Sequence, residues 1–274
     1  MKLLVTGAGG QLGRSLPAAL AAHDVTALAH ADLDIADLAR VRAAMAAHAP
    51  AVVVNAAAWN RVDDAETERD GAFRANALGP RNLALAAAER GAALLHVSTD
   101  YVFDGELGRP YDEFDHPAPC SVYGASKLAG ERLVRELSPR HWIVRTAWVF
   151  HEEGQNFPRT MLRLAASAPE LRVVNDQIGS PTYAPHLATG IATLIDSGAF
   201  GTFHMAGAGQ TTWHELTCAL VARLGIDKKV VPVSTAEFPR PAPRPRFAPL
   251  VTRMEPRIEL PPWQEGLAAF CARL

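Results

Sequence analysis

The chain has 274 residues, 49% of them hydrophobic and 20% charged, with a formal net charge of −2. That describes a globular protein of one large or two smaller domains, and it excludes any general attraction to nucleic acid or an anionic membrane face. Cys120, Cys218 and Cys271 form no CxxC pair and no apolar run reaches membrane-spanning length. No disulfide framework, metal site or membrane partner is therefore expected, and the location is read as cytoplasmic.

KLLVTG opens the chain as a buried strand closed by glycine. GQLGRSLPAALAAH then carries Leu12, Leu16 and Leu20 at helical spacing. DVTALA reads as a second strand, ADLARVRAAMAAH as a helix and AVVVNAAA as a third strand. RDGAFRANALGPRNLALAAAERG reads as one long helix, AALLHVSTD as a fourth strand, SVYGASKLAGERLVREL as a helix and HWIVRTAWVF as a fifth strand. Strands that are apolar on both faces and alternate with helices predict an α/β fold, a Rossmann-type doubly wound parallel sheet. Past about residue 150 the rhythm loosens. NFPRTMLRLAAS, TWHELTCALVARLG and PPWQEGLAAFCARL look helical, LRVVNDQIGSPTYAP is a strand entering a loop, and 232–262 is Pro-rich and irregular. The expected division is a dinucleotide-binding Rossmann domain over 1–150 and a smaller α/β substrate domain over 151–274. Some segments of the second, GTFHMAG among them, would return to the first sheet.

The first turn, VTGAGGQLGRSL, places Gly7, Gly10 and Gly13 between a strand and a helix. Gly7 suits the tight turn, Gly10 the approach of a pyrophosphate, and Gly13 close packing of helix on sheet. The helix N-terminus then faces the phosphates with free N–H groups. The second strand ends without the carboxylate that usually bonds an NAD ribose; Ala29 and His30 stand there. His30, with Arg14, suits a 2′-phosphate, so NADPH is expected ahead of NADH. Asp34 and Ile35 suit the edge and face of an adenine.

Tyr and Lys are scarce, four of each, yet Tyr123 and Lys127 stand one helical turn apart. An ammonium beside a phenol favours the phenolate and moves the Tyr toward neutrality, where it transfers protons efficiently. Ser98, Thr99 and Asp100 follow the fourth strand and fall at the ligand-binding edge of such a sheet. A hydroxyl there can bond the carbonyl that Tyr123 protonates.

TGAGGQLG, NAAAW, STDYVFDG, YGASKLAGE, RTAWVF and NDQIGSPT, in that order, resemble the extended short-chain dehydrogenase/reductase superfamily. More narrowly they resemble its dTDP-4-dehydrorhamnose reductase family, from residue 1 to about 215 and again at LPPWQEGLAAF. The resemblance implies NAD(P)H-dependent reduction of a nucleotide-linked 4-keto-6-deoxysugar by a monomer or homodimer. It implies Thr99, Tyr123 and Lys127 as the catalytic three, with Tyr123 donating a proton to the C4 oxygen, Thr99 positioning it and Lys127 holding the ribose. Gly7, Gly10, Gln11, Leu12, Gly13, Asp34, Ile35, Ala56, Ala57 and Ala58 would line the cofactor. Val62, Asp100, Tyr101, Phe103 and Trp148 would approach the substrate, and Asn76 would hold its helix's backbone or a water. Two departures stand out. RPRFAPL keeps Arg244, Pro245 and Leu250 but has Ala248 and Pro249 near where the family carries a hydroxyl, which removes support for substrate contacts from that loop. Ser15 lies where some members place a metal-bridging Glu, so no metal-linked dimer is expected. The competing readings are a related epimerase or dehydratase, or a non-catalytic dinucleotide-binding regulatory subunit. Retention of both Tyr123 and Lys127 argues for catalysis.

Overall fold

The computed structural model describes residues 1–274. β1 (Lys2–Thr6) leads through the glycine turn into α1 (Gln11–Ala19), followed by β2 (Asp24–Leu28), α2 (Leu38–His48) and β3 (Val52–Asn55). A 3-10 turn, Asp64–Glu66, precedes α3 (Arg69–Phe73), which continues through a π-helical turn, Arg74–Leu78, into α4 (Gly79–Ala88). Then come β4 (Ala93–Thr99), α5 (Val122–Leu137), β5 (His141–Thr146), β6 (Val149–Phe150), α6 (Phe157–Ser167) and β7 (Leu171–Val174). β8 (Ile178–Gly179), β9 (Thr182–Tyr183), α7 (Ala184–Ser197) and β10 (Gly201–His204) follow. The chain closes with β11 (Gly207–Ala208), β12 (Thr211–Thr212), α8 (Trp213–Arg223), β13 (Val230–Val233), β14 (Leu260–Pro262) and α9 (Trp263–Cys271).

Six strands form one parallel sheet in the order β10-β5-β4-β3-β1-β2. Alternate residues of each strand serve opposite faces. Leu3, Val5, Val52, Val54, Leu95 and Val144 pack under α1 and α7, while Leu4, Val53, Leu94 and Ile143 pack under α2, α4 and α5. Each such side chain, fully buried, stabilises the fold by roughly 1.5–3 kcal/mol relative to exposure. A third cluster, including Phe150, Met161, Leu220, Trp263 and Phe270, holds α6, α8 and α9 around β7 and β13. The strand order departs from β1 in two directions, toward β2 and toward β3. The crevice above the C-terminal ends of those strands is where such sheets bind ligands.

Three local features differ from the sequence expectation. The long helix is not uniform. Pro80 has no N–H to offer the carbonyl of Asn76, and the helix widens into a π turn there. The freed carbonyl lies against Gly130 of α5, at a spot that a Cβ would fill. The fifth strand is broken: β5 stops at Thr146, and Trp148 takes φ +46° before β6 begins. Finally, α7 was not expected. Thr189, Thr193 and Gly190 lower its intrinsic propensity, and packing overrides that. Pro185 falls in the first turn, where a missing N–H costs nothing, and Leu187, Ile191 and Leu194 are wholly buried against the sheet. The GTFHMAG strand does return to the sheet, as β10 beside β5.

Candidate active site

The turn after β1 is built from close backbone approaches. Gly7 has φ +76°, which L side chains rarely adopt, and a Cβ on it would lie 2.6 Å from the Ala56 carbonyl carbon after β3. A Cβ on Gly13 would lie 2.7 Å from the Ala8 Cα and would also strike the Gly7 carbonyl. The expected helix-to-sheet packing role of Gly13 is thus more local: it lets α1 close on its own preceding turn. Gly10 caps α1 without a side-chain hydrogen bond, and the first turn carries no acidic residue. The helix therefore presents unpaired N–H groups and a positive end toward the crevice. The Gln11 Oε1 atom is buried there without a partner. The glycine turn and the free N–H groups fit a dinucleotide pyrophosphate, while the Gln11 oxygen, an acceptor, suits a hydroxyl of the cofactor instead. Gly13→Ala is expected to overpack the turn by about 1–3 kcal/mol and to weaken nucleotide binding. Thermal melting and a fluorescence titration with NADPH check this, and an unchanged affinity would contradict it.

The crevice is a cleft of about 440 Å³. Gly10, Gln11 and Leu12 line one side, with Ala56 and Ala58 after β3. Thr99, Asp100 and Tyr101 line it from the end of β4, Tyr123 and Lys127 from α5, and Val62 and Trp148 complete the wall. Ser121 caps α5 by accepting from the Gly124 N–H, which fixes the start of the helix one turn before Lys127. A Cβ on Gly124 would clash with the Tyr101 carbonyl, so glycine lets α5 close on the segment after β4. Asn76, wholly buried, holds a neighbouring loop rather than its own helix. It accepts from the Trp59 N–H (2.8 Å) and donates to the Trp59 carbonyl (3.1 Å) and the Ser126 hydroxyl (3.0 Å).

The electrostatics differ from the expected Tyr–Lys pair. Burial pushes the Tyr123 phenol up, the Asp100 carboxylate adds to that, and the Thr99 hydroxyl works the other way. Lys127 is not turned to the phenol: its ammonium donates to the Val97 carbonyl (2.7 Å), and burial brings it down to about 8 against the pull of Glu131. Tyr123 is therefore held as a neutral phenol across ordinary pH, the form a proton donor needs. The Thr99 hydroxyl donates to Asp100 Oδ1 (2.9 Å) and accepts from the Tyr101 N–H (3.2 Å). Burial lifts Asp100 from 3.8 to about 7, opposed by the Thr99 hydroxyl and backbone N–H groups. A carboxyl raised in the folded state contributes its full stability below its unfolded value and loses it as pH rises through the folded one. Asp100→Asn is therefore expected to raise the melting temperature more at pH 8 than at pH 5. Equal shifts at both would contradict the burial of a charge there.

The far wall comes from residues after 150, which the sequence reading did not assign to the site. Trp213 stacks flat on Trp148, with ring centroids 3.4 Å apart and 6° between planes. Phe157 and Gln155 join them on the cleft surface. The NDQIGSPT stretch supports this pair: Gln177 accepts from the Trp213 indole N–H (3.2 Å), and a Cβ on Gly179 would fall 2.6 Å from Trp148 Cζ2. An aromatic opening a helix directly after Thr212 was the one available signal for Trp213.

Several expected contacts lie elsewhere. Phe103 is wholly buried, stacked on Tyr111 at 4.1 Å below the cleft, so it is a core aromatic and not a substrate contact. The Ile35 side chain packs into the core beneath α4, where a Cβ on Gly79 would lie 2.5 Å from its Cδ1; it offers no face to an adenine. Asp34 is paired with Arg74 (2.7 Å), which together with its bond from the Ala36 N–H holds its carboxyl down against partial burial. Ala57 bonds Asn55 through its N–H and supports the Gly7 turn from behind rather than lining the cleft. His30 is exposed at the end of β2, and Arg14 bonds the Gly9 carbonyl and Glu153 (2.9 Å) across the mouth of the cleft. Arg244 pairs with Asp63 through two hydrogen bonds, 2.6 and 3.0 Å, tying the Pro-rich segment to the loop that carries Val62.

A family model described as the RmlD substrate binding domain matches residues 1–274. The chain is 45% identical to the dTDP-4-dehydrorhamnose reductase of Streptomyces griseus, over 98% of this chain and 94% of the relative. It is 43% identical to the dTDP-4-keto-6-deoxy-D-glucose reductase of Streptomyces niveus, over 89% and 86% respectively. The solved dTDP-4-dehydrorhamnose reductase of Bacillus anthracis, in complex with NADP, superposes with a TM-score of 0.96 at 40% identity, covering 100% of this chain and 99% of that one.

Proposed function

The chain belongs to the RmlD family of dTDP-4-dehydrorhamnose reductases, and from that premise we propose that it reduces the C4 keto group of dTDP-4-dehydro-L-rhamnose with NADPH, giving dTDP-L-rhamnose. NADH ranks as the second cofactor. The observation that supports the assignment of roles is the convergence on one cleft of the glycine turn, Thr99 at the end of β4, and Tyr123 with Lys127 on α5, from three separate stretches of the chain.

Gly10, Gln11 and Leu12 would hold the dinucleotide at the N-terminus of α1, with Ala56 and Ala58 against it and the Lys127 ammonium on the ribose. Bound there, NADPH supplies the hydride that reaches C4. Tyr123 gives its phenolic proton to the C4 oxygen as negative charge develops on that atom. Thr99 turns its hydroxyl from Asp100 to the same oxygen and orients it. Val62, Tyr101 and Trp148, the last backed by Trp213, shape the space for the deoxysugar and exclude water from it. Residues 151–274 apart from α7 and β10 would form the sugar-nucleotide unit. The test is loss of nicotinamide absorbance with purified protein, dTDP-4-dehydro-L-rhamnose and either cofactor. Faster consumption of NADPH than of NADH is expected. Absence of net consumption with sugar turnover would favour an epimerase instead.

A further inference from the structure

Behind Lys127 a chain of buried polar side chains crosses the sheet, and the chemistry above leaves it unused. Thr6, Asn55, His96 and Lys127 are each at most 2% exposed. The Thr6 hydroxyl donates to Asn55 Oδ1 (2.8 Å), which also accepts from the Ala57 N–H (3.1 Å). A backbone N–H can only donate, so it fixes which end of the Asn55 amide is oxygen. The Nδ2 end then faces His96 Nδ1 at 3.0 Å, and Nδ1 has to accept. Burial holds His96 neutral, well below its ordinary value, and the Lys127 charge adds to this. The single ring proton of a neutral imidazole therefore sits on Nε2, the nitrogen that faces Lys127 Nζ at 3.5 Å. An ammonium meets a donor there instead of an acceptor, which favours the neutral amine.

We propose that His96, locked by Asn55 as its Nε2–H tautomer, is the positioning residue that sets how readily Lys127 gives up its proton. Burial acts on Lys127 in the same direction, and Glu131 is the neighbour that opposes it. On its own helix, Glu131 is bound at both oxygens by Arg145 of β5 (2.9 and 2.8 Å) and by Arg135, and Tyr123 is a neutral phenol. Asp100, at the end of β4, is lifted to about 7 and engaged by Thr99, and Tyr101 beside it is pushed up by burial. Glu66, in the 3-10 turn before α3, accepts from the Val122 N–H, and Arg74, in the π turn, is turned to Asp34. A Lys127 that exchanges its proton near neutrality can restore the Tyr123 proton between turnovers. That consequence alone rests on the reductase reading.

The test uses the full chain and needs no turnover. The chain has four lysines, and Lys127 alone is buried. With carbon-13 at lysine Cε, one NMR titration is expected at least about one pH unit below the other three. Asn55→Asp keeps the shape and puts an accepting oxygen opposite His96 Nδ1. The ring proton should move to Nδ1, leave the Nε2 lone pair to the ammonium, and raise the Lys127 titration by at least about one pH unit. Nitrogen-15 histidine spectra report the tautomer, with the His96 signals identified by their loss in His96→Gln. An upward shift together with the tautomer change supports the proposal. No shift, or a shift with the tautomer unchanged, overturns it. An Nδ1–H form of His96 in the unmodified protein overturns it whether or not the variant folds. Both readouts as expected in a protein that consumes no NADPH would sink the reductase reading and leave this one standing.

Discussion

Tyr123→Phe is expected to lower kcat by at least about 10²-fold while leaving NADPH affinity near its original value. The substitution removes one oxygen from a side chain that is 8% exposed, so the ring and its edge-on contact with Tyr101, centroids 5.5 Å apart, remain. What is lost is the proton that neutralises the C4 oxygen. Water is a poor substitute in a cleft walled by Val62, Trp148 and Trp213. Steady-state rates with saturating cofactor, alongside a binding titration, separate the two effects. A variant that keeps its kcat would show that the proton comes from elsewhere.

The largest expected loss of stability is one turn further along the same face of α5. Arg145 of β5 and Glu131 of α5 form a bidentate pair, with exposures of 2% and 0% at the side chains. Arg145→Met leaves the buried carboxylate with only the partly exposed Arg135 as a cationic partner, which costs about 3 kcal/mol and on the order of 10 °C in melting temperature for a chain of this size. The double variant Arg145→Met, Glu131→Gln removes both charges and is expected to recover much of the loss. If the single variant melts with the parent, the pair is not buried as described. The same pair anchors α5 one turn beyond Lys127, so a loosened variant is also expected to lose activity through the position of Tyr123 and Lys127.

The features legible from sequence were those set by local rules. Alternating apolar runs marked the strands of the sheet, because both faces of β1, β3, β4 and β5 are covered. The glycine spacing marked the first turn, because Gly7 and Gly13 sit where no Cβ fits. The Tyr–Lys spacing marked α5. What stayed hidden depended on contacts between distant segments. Trp148 was expected at the substrate through the resemblance, but its stacking partner Trp213 and the Gly179 beside it, far along the chain, were not. Phe103 was placed by its motif and Ile35 by its position after the second strand, yet Tyr111 and Gly79 draw them into the core. The protonation of the Tyr–Lys pair was misjudged for a related reason. Spacing along a helix puts two side chains on one face, but the Val97 carbonyl decides where the ammonium points.

The most direct measurement follows deuterium from NADPH labelled at both nicotinamide C4 positions into the product formed from dTDP-4-dehydro-L-rhamnose. Deuterium at C4 of dTDP-L-rhamnose, one per molecule, is the predicted result. Unlabelled product, or cofactor that binds without giving up its label, would contradict hydride transfer at this site.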